Sequence, residues 1–352
     1  MIPLLVYYKN AANPKPDLVL CRFWAGFDPA ARVHYNTYHH CVLHDSTMQK
    51  EEMAIMTSIP FYLVDVFAER RYAGNQLGVF RHAAHLTAEQ MQRIAKELNF
   101  SETTFILADE PRDGGYDVRI FTPESEIPFA GHPTLGTAHV IRREIIAGRQ
   151  QDVGELTLNL GVGPIPVRWE RDGSGLMWMT QQPPAFRATF EPADVAELLG
   201  LDAADIDDRY PIQEVSTGLP SLIVPLKTLS AVQASRTNRA LLPAFERKLE
   251  ARALLVFAPE ALEPGHDLHA RVFVDSLGVP EDPATGSAAG NLAGYLARYR
   301  CLGPSRIDVK MEQGYAIGRP SLLYLRAEDS PQGVRVEVGG KAFSVAHGEW
   351  PL

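Results

Sequence analysis

Three ionisable side chains stand in short polar motifs bounded by apolar residues: Glu102, His132 and Asp282. Glu102 lies in Asn99-Phe100-Ser101-Glu102-Thr103-Thr104-Phe105. A carboxyl held between two phenylalanines in a partly apolar site has its pKa raised toward neutrality and can serve as general acid or base. The other two open a repeated pattern, [His/Asp]-Pro-x-x-Gly-[Thr/Ser]-Ala, at His132 to Ala138 and again at Asp282 to Ala288, an offset of 150 residues. Proline suits the first helical position, which makes the preceding residue the candidate N-cap. Asp282 fits that role and His132 does not, so the imidazole is expected to have another task. Free N–H groups at a helix start bind carboxylates. Two such starts facing one another, with the Gly131 and Gly286 amides between them, would form a cleft for a small acid.

Each of these residues also has an ordinary reading. Glu102 alone is an exposed turn glutamate, His132 a helix-start histidine bonded to backbone, and Asp282 a simple cap. The repeat joins them. Across a pseudo-twofold axis, His132 and Asp282 converge on one cleft.

The elements that would carry these groups also repeat. From Pro60 onward, Gly74 to Phe80 reads as turn plus strand, with Gly218 to Val224 as its counterpart. Helical periodicity covers Thr87 to Leu98 and Arg239 to Leu249. Apolar strands, Val118 to Phe121 and Val272 to Val274, precede the two repeated segments. Glycine-rich strand pairs follow them at Leu156 to Glu170 and Ile307 to Arg326. Each half then ends in a hairpin, turned by Asp172-Gly173-Ser174-Gly175 in the first and by Gly339-Gly340 in the second. The expectation is an α+β fold: an extension over residues 1–56 without a fold of its own, a first half over 57–175 and a second over 176–352. Met56 just before the orderly pattern suggests that translation starts there. Small residues along the second central helix (Ala288, Ala289, Gly290, Ala293, Gly294) suit a helix closely wrapped by sheet.

Composition narrows the function. The 352 residues are 45% apolar and 22% charged, with a net charge of −9 and no Lys/Arg-rich block. That is an ordinary globular composition with nothing to draw it to nucleic acid or anionic lipid. Cys21, Cys41 and Cys301 are odd in number and without framework spacing, which points to a reducing, cytoplasmic home. No apolar run is long enough to span a membrane. His34, His39, His40, Cys41 and His44 match no standard zinc spacing, so no metal site is expected. A hydrolase triad of Ser101 or Ser287 with His132 and Asp282 lacks a Gly-x-Ser-x-Gly elbow. Gly161-Val162-Gly163-Pro164 lacks the third glycine of a dinucleotide site.

The chain resembles the phenazine biosynthesis PhzF family of isomerases, within the diaminopimelate epimerase-like superfamily. The resemblance is carried by Val64-Asp65-Val66-Phe67, Gly74-Asn75, Ser101 to Phe105, Arg119 to Pro123, Pro128 to Gly136, Ser216 to Pro220, Glu281 to Ala288, Gln313-Gly314 and Gly318-Arg319-Pro320-Ser321. It implies two pseudo-symmetric halves, each a curled sheet or barrel around a central helix, and a homodimer. It also implies cofactor-independent proton transfer on a small carboxylate-bearing substrate, with Glu102 as acid/base and His132 and Asp282 assisting. Ser101, Gly131, Gly286 and Ser287 would hold the substrate carboxylate. The superfamily's epimerases and proline racemases carry a cysteine at each central helix start; none stands there in this chain, which argues against a two-thiol mechanism. The reading from another class is a catalytically idle small-acid-binding or scaffolding protein with the same fold.

Overall fold

The computed structural model describes residues 6–8, 17–19, 58–147, 153–275 and 279–352. Contacts divide the chain into two compact units, Met1–Ile55 and Met56–Leu352. In the first, Val6–Tyr8 pairs antiparallel with Asp17–Val19. The histidines and cysteine weighed above as a metal cluster lie outside the described residues.

The second unit is sheet-dominated. Its first half contains β1 (Ser58–Val66), β2 (Asn75–Phe80), α1 (Ala88–Leu98), β3 (Glu102–Ile106), β4 (Tyr116–Phe121), β5 (Glu126–Ile127), α2 (Gly131–Val140), β6 (Glu155–Leu160), β7 (Gly163–Trp169) and β8 (Met177–Thr180). After β9 (Ala185–Phe190) and α3 (Pro192–Leu199), the second half follows. It comprises β10 (Ile212–Ser216), β11 (Pro220–Pro225), α4 (Leu229–Ala234), α5 (Leu242–Glu246), β12 (Ala253–Ala258), β13 (Leu268–Val274), β14 (Val279–Asp282), α6 (Gly286–Tyr299), β15 (Arg306–Gln313), β16 (Ser321–Ser330) and β17 (Gly333–Gly340). The last strand is β18 (Ala342–Pro351).

Strand pairing makes the halves topologically equivalent. In the first, β1–β2 is antiparallel, β2–β3 parallel, β3–β4 and β4–β5 antiparallel, β4–β6 parallel, and β6–β7 and β7–β8 antiparallel. The same succession of senses links β10 through β17. β8 pairs with β17, joining the two. The strand that follows each half completes the sheet of the other: β9 pairs with β10, and β18 returns to pair with β1.

A central helix is enclosed in each half. Gly131 to Ala138 and Val140 of α2 are buried, as are all residues of α6 from Ala288 to Ala297. Small residues permit this. A methyl on Gly136 would lie 2.6 Å from Leu77 Cδ2, one on Gly294 would lie 2.8 Å from Pro184 Cγ, and one on Gly290 would overlap the Gln181 side chain. A third helix, α1, packs outside, its buried Met91, Ile94 and Ala95 joining a cluster with Phe80, Phe105 and Phe121. Burying an aliphatic side chain of that size contributes about 1.5–3 kcal/mol. Thr87 and Gln90 form a capping box at its start.

Two expectations are corrected. Gly339 and Gly340 are not a turn: they sit in β17, paired with Trp178 and Met177. Glycine is required because the Trp178 ring lies 2.7 Å from where a methyl on Gly339 would be, and the Phe67 ring abuts Gly340. The helix expected over 239–249 is the short α5, because Pro243 lies at its N-terminus and blocks an earlier start. No helix among the described residues is long and apolar enough to cross a membrane.

Candidate active site

The chain reaches Glu102 by leaving α1 through Asn99, whose left-handed backbone (φ 52°) ends the helix. Ser101 follows in a bend, and Glu102 is the first residue of β3. α2 begins at Gly131 after the extended Ala130, which makes His132 its second residue. Asp282 ends β14, and α6 begins only at Gly286, after Thr285.

This corrects the reading of the repeat. The first heptapeptide lies wholly inside α2, whereas in the second only Gly286-Ser287-Ala288 is helical. Asp282 is therefore not an N-cap. Asp282 is held extended as a strand end by its pairing with Val272. The equivalent helix starts are Gly131 and Gly286, which touch. A methyl on Gly131 would lie 2.9 Å from Gly286 Cα, and one on Gly286 would lie 3.1 Å from Gly131 Cα. Only glycine allows two helix N-termini to meet backbone to backbone here.

Around that contact the two halves share one polar cluster. His132 Nε2 and Glu102 Oε2 face each other at 3.4 Å, and neither atom makes a hydrogen bond. His132 is 4% exposed and the Glu102 side chain 18%. Asn75, from the first residue of β2, donates from Nδ2 to Asp282 Oδ1 at 2.9 Å and to the Ala284 carbonyl at 3.0 Å. The same nitrogen lies 3.3 Å from His132 Nδ1. Thr285 Oγ1 donates to Asp282 Oδ2 at 2.5 Å, and Ser101 Oγ reaches Oδ1 at 3.5 Å. Ser287 is the half-buried second residue of α6. Beneath the start of α6, Gln181 Nε2 donates to the Gly286 carbonyl at 2.9 Å.

Burial sets the electrostatics. It pushes the Glu102 carboxyl up to about 8, with the charge of Asp282 adding to the effect. It pushes His132 down to about 3, against a hydrogen bond to the Gln76 backbone. Asp282 is raised to about 6 by burial, a rise limited by hydrogen bonds from Thr285, Asn75 and Ser101. A neutral acid, a neutral ring and a partly ionised second carboxyl thus occupy one site, an arrangement able to hold and move a proton near neutral pH. Among the described residues, no group of histidine, cysteine, aspartate and glutamate is placed to hold a metal ion.

Sequence reasoning did not name Asn75 or Gln313 as site residues. Asn75 bridges Asp282 and His132, and Gln313 bonds the Asp282 backbone and Thr285. Both lie in motifs that carry the family resemblance, but an amide does not titrate and offered no chemical signal of its own.

The family model for phenazine biosynthesis-like proteins matches residues 64–348. A trans-2,3-dihydro-3-hydroxyanthranilate isomerase of Pseudomonas aeruginosa is 38% identical over 295 residues, covering 82% of this chain and 98% of the relative. The crystal structure of a PhzF-family phenazine biosynthesis protein of Bacillus anthracis aligns at a TM-score of 0.75 and 27% identity, over 84% of this chain and 99% of that one. A hydroxyproline epimerase of Agrobacterium vitis shares the fold at a TM-score of 0.56 and 9% identity, over 84% of this chain and 92% of its own. The matched residues run from β1 to β18 and take in every member of the polar cluster, so this chain belongs to the PhzF family of isomerases.

Proposed function

We propose that this protein catalyses a cofactor-independent proton shift within a small carboxylate-bearing substrate, bound where α2 and α6 begin. The observation that carries this reading is the approach of Glu102 Oε2 to His132 Nε2, two buried polar atoms 3.4 Å apart with no hydrogen bond to satisfy either. Buried polar atoms are rarely left so. A reacting group of a substrate is the partner that fits them.

As a carboxylate, Glu102 takes a proton from a C–H bond activated by a neighbouring unsaturated or carbonyl group, and the C–H electron pair passes into that group. The resulting carboxylic acid returns the proton to another carbon of the same molecule, which shifts the double bond and restores the carboxylate. His132, neutral through burial, supplies a polar contact without a fixed charge. Asp282 assists, oriented by Asn75 and Thr285. Ser101, Ser287 and the first-turn amides at Gly131 and Gly286 hold the substrate carboxylate and offset developing negative charge. The compound named for the Pseudomonas relatives, trans-2,3-dihydro-3-hydroxyanthranilate, is the first to test, because it carries a carboxylate on a partly unsaturated ring. The family resemblance also supports a homodimer, and the odd, unframed cysteines support a reducing, cytoplasmic location.

The test is Glu102→Gln, which keeps the side chain's size and removes the carboxyl group that accepts and returns a proton. With that compound in deuterium oxide, the wild-type protein should form an isomer whose new C–H position reports transfer through the enzyme. The variant should still bind and lose at least ~10²-fold in turnover. Normal turnover by Glu102→Gln would remove the role from Glu102. Binding by wild type without turnover or isotope exchange would favour an idle acid-binding protein.

A further inference from the structure

One turn breaks the equivalence of the two halves. In the first, β6 and β7 join tightly, with Leu160 paired to Gly163. The equivalent strands of the second half, β15 and β16, end their pairing at Gln313 and Ser321. Residues 314–320 form a longer excursion, with a short 3-10 turn at Tyr315–Ile317 between left-handed Gly314 and Gly318 (φ 77° and 73°). No larger residue fits at Gly314, where a Cβ would collide with the Pro283 and Arg319 carbonyls.

One end of this excursion bonds Asp282 itself, and the other bonds the turn that leads into Asn75. At its root, the fully buried Gln313 donates from Nε2 to the Asp282 carbonyl at 2.8 Å and to Thr285 Oγ1 at 3.0 Å, while its Oε1 accepts from the Thr285 amide at 3.2 Å. With a lone pair of the Thr285 hydroxyl so engaged, its proton is directed to Asp282 Oδ2, 2.5 Å away. At the far end, Arg319 donates from Nε to the Gly74 carbonyl at 2.9 Å. Its terminal nitrogen reaches the Ala73 carbonyl at 2.8 Å and Asp65 Oδ1 at 2.6 Å. The Gly74 amide donates in turn to the Pro320 carbonyl at 3.0 Å. The next residue is Asn75, whose amide holds Asp282 Oδ1.

We propose that the 313–321 segment is a brace that positions the site, with Gln313 and Arg319 as positioning residues. Gln313 aims the Thr285 hydroxyl at one oxygen of Asp282, and Arg319 fixes the loop that aims Asn75 at the other. The functional meaning of the brace rests on the proton-transfer reading above, in which Asp282 assists Glu102.

Loosening either end removes a hydrogen bond that favours the charged form of Asp282. The other ionisable groups around it are Glu102, His132 and the neighbouring Glu281, itself paired with Arg271. Two substitutions leave that charge environment intact. Arg319→Lys retains a cation beside Asp65 but loses the guanidinium fork. Gln313→Met keeps nearly the same volume and loses all three hydrogen bonds of the side-chain amide.

Carboxyl 13C NMR of the full chain without substrate, with the Asp282 signal identified from an Asp282→Asn spectrum, reads the outcome. Asp282 should titrate about one pH unit higher in each variant, the direction expected when a carboxylate loses a donor. Arg81→Lys, which disturbs the remote pair with Asp109, should lower stability and leave Asp282 where it is. In turnover of trans-2,3-dihydro-3-hydroxyanthranilate, kcat should fall about tenfold with KM nearly unchanged, the pattern of a lost transition-state interaction. If Gln313→Met does not fold, Arg319→Lys decides. An unshifted Asp282 signal in the folded variants overturns the brace whatever the turnover shows. An active Glu102→Gln overturns the proton-transfer reading instead, and the titration still judges the brace.

Discussion

Glu102 and His132 stand 3.4 Å apart with their ionisation displaced in opposite senses. Burial lifts the carboxyl to about 8 and depresses the imidazole to about 3, so near neutral pH the pair is largely uncharged. Ionising both would place a desolvated ion pair where few other groups compensate it. Remaining neutral avoids that cost and makes the carboxylate that begins the proposed reaction a minor form until the pH approaches 8.

The first expected outcome concerns rate and pH. If Glu102 must be a carboxylate to accept the substrate proton, kcat/KM should climb about tenfold per pH unit below pH 8 and level off above it. The measurement is kcat/KM for trans-2,3-dihydro-3-hydroxyanthranilate from pH 5 to 10. A profile already flat from pH 6 would show that another group is the base.

The raised carboxyl pKa also has a consequence for stability. Because the folded pKa of Glu102 is raised, its protonated form favours folding at low pH, and that contribution is lost as pH rises from about 4.5 through about 8. Glu102→Gln, which cannot ionise, should therefore gain stability relative to wild type across that window. The gain should reach a few kcal/mol at most above pH 8, since a tenfold change in proton affinity corresponds to about 1.36 kcal/mol, and should vanish below pH 4.5. Parallel denaturant titrations of the two proteins would test it, and a constant difference at all pH values would contradict it.

Contact between the helix starts makes Gly131 intolerant of a side chain. Gly131→Ala would press its methyl to within 2.9 Å of Gly286 Cα and 3.0 Å of Met179 Cε. Overpacking of this kind costs about 1–3 kcal/mol, and parting the helix starts should also abolish turnover. Gly154→Ala, with nothing within 4 Å of the added methyl, should leave both stability and activity unchanged. Thermal melts of the two variants, with the turnover assay, distinguish them.

Residues 1–56 are expected to be dispensable. They fall outside the family match, and Met56–Leu352 is a compact unit by itself. A chain of residues 57–352 should melt within about 2 °C of the full-length protein, roughly the change that 1 kcal/mol produces in a chain of this size. Failure of the shortened protein to fold, or a much lower melting temperature, would assign those residues a structural part.

Much of the architecture was written in local pattern. Short apolar runs marked β2, β4 and β13, and the periodic Met91, Ile94 and Ala95 marked α1, because these signals depend only on residues a few positions apart. Spacing also singled out Glu102, His132 and Asp282. The repeat showed that the halves are related but misaligned their helix starts, since both segments contain proline and glycine at matching intervals. The tertiary packing of Gly131 on Gly286 identifies the true equivalence.

What sequence alone could not decide was settled by contacts between distant segments. Asn75 and Asp282, 207 positions apart, share a hydrogen bond, and Arg319 reaches back 254 positions to Asp65. Gly339-Gly340 resembled a turn locally and became strand because Trp178 and Phe67 fill the space beside it. The ionisation of the site has the same origin. A carboxyl takes its pKa from the water excluded around it and the charges placed near it, and in this chain both are fixed only when the two halves close on one another.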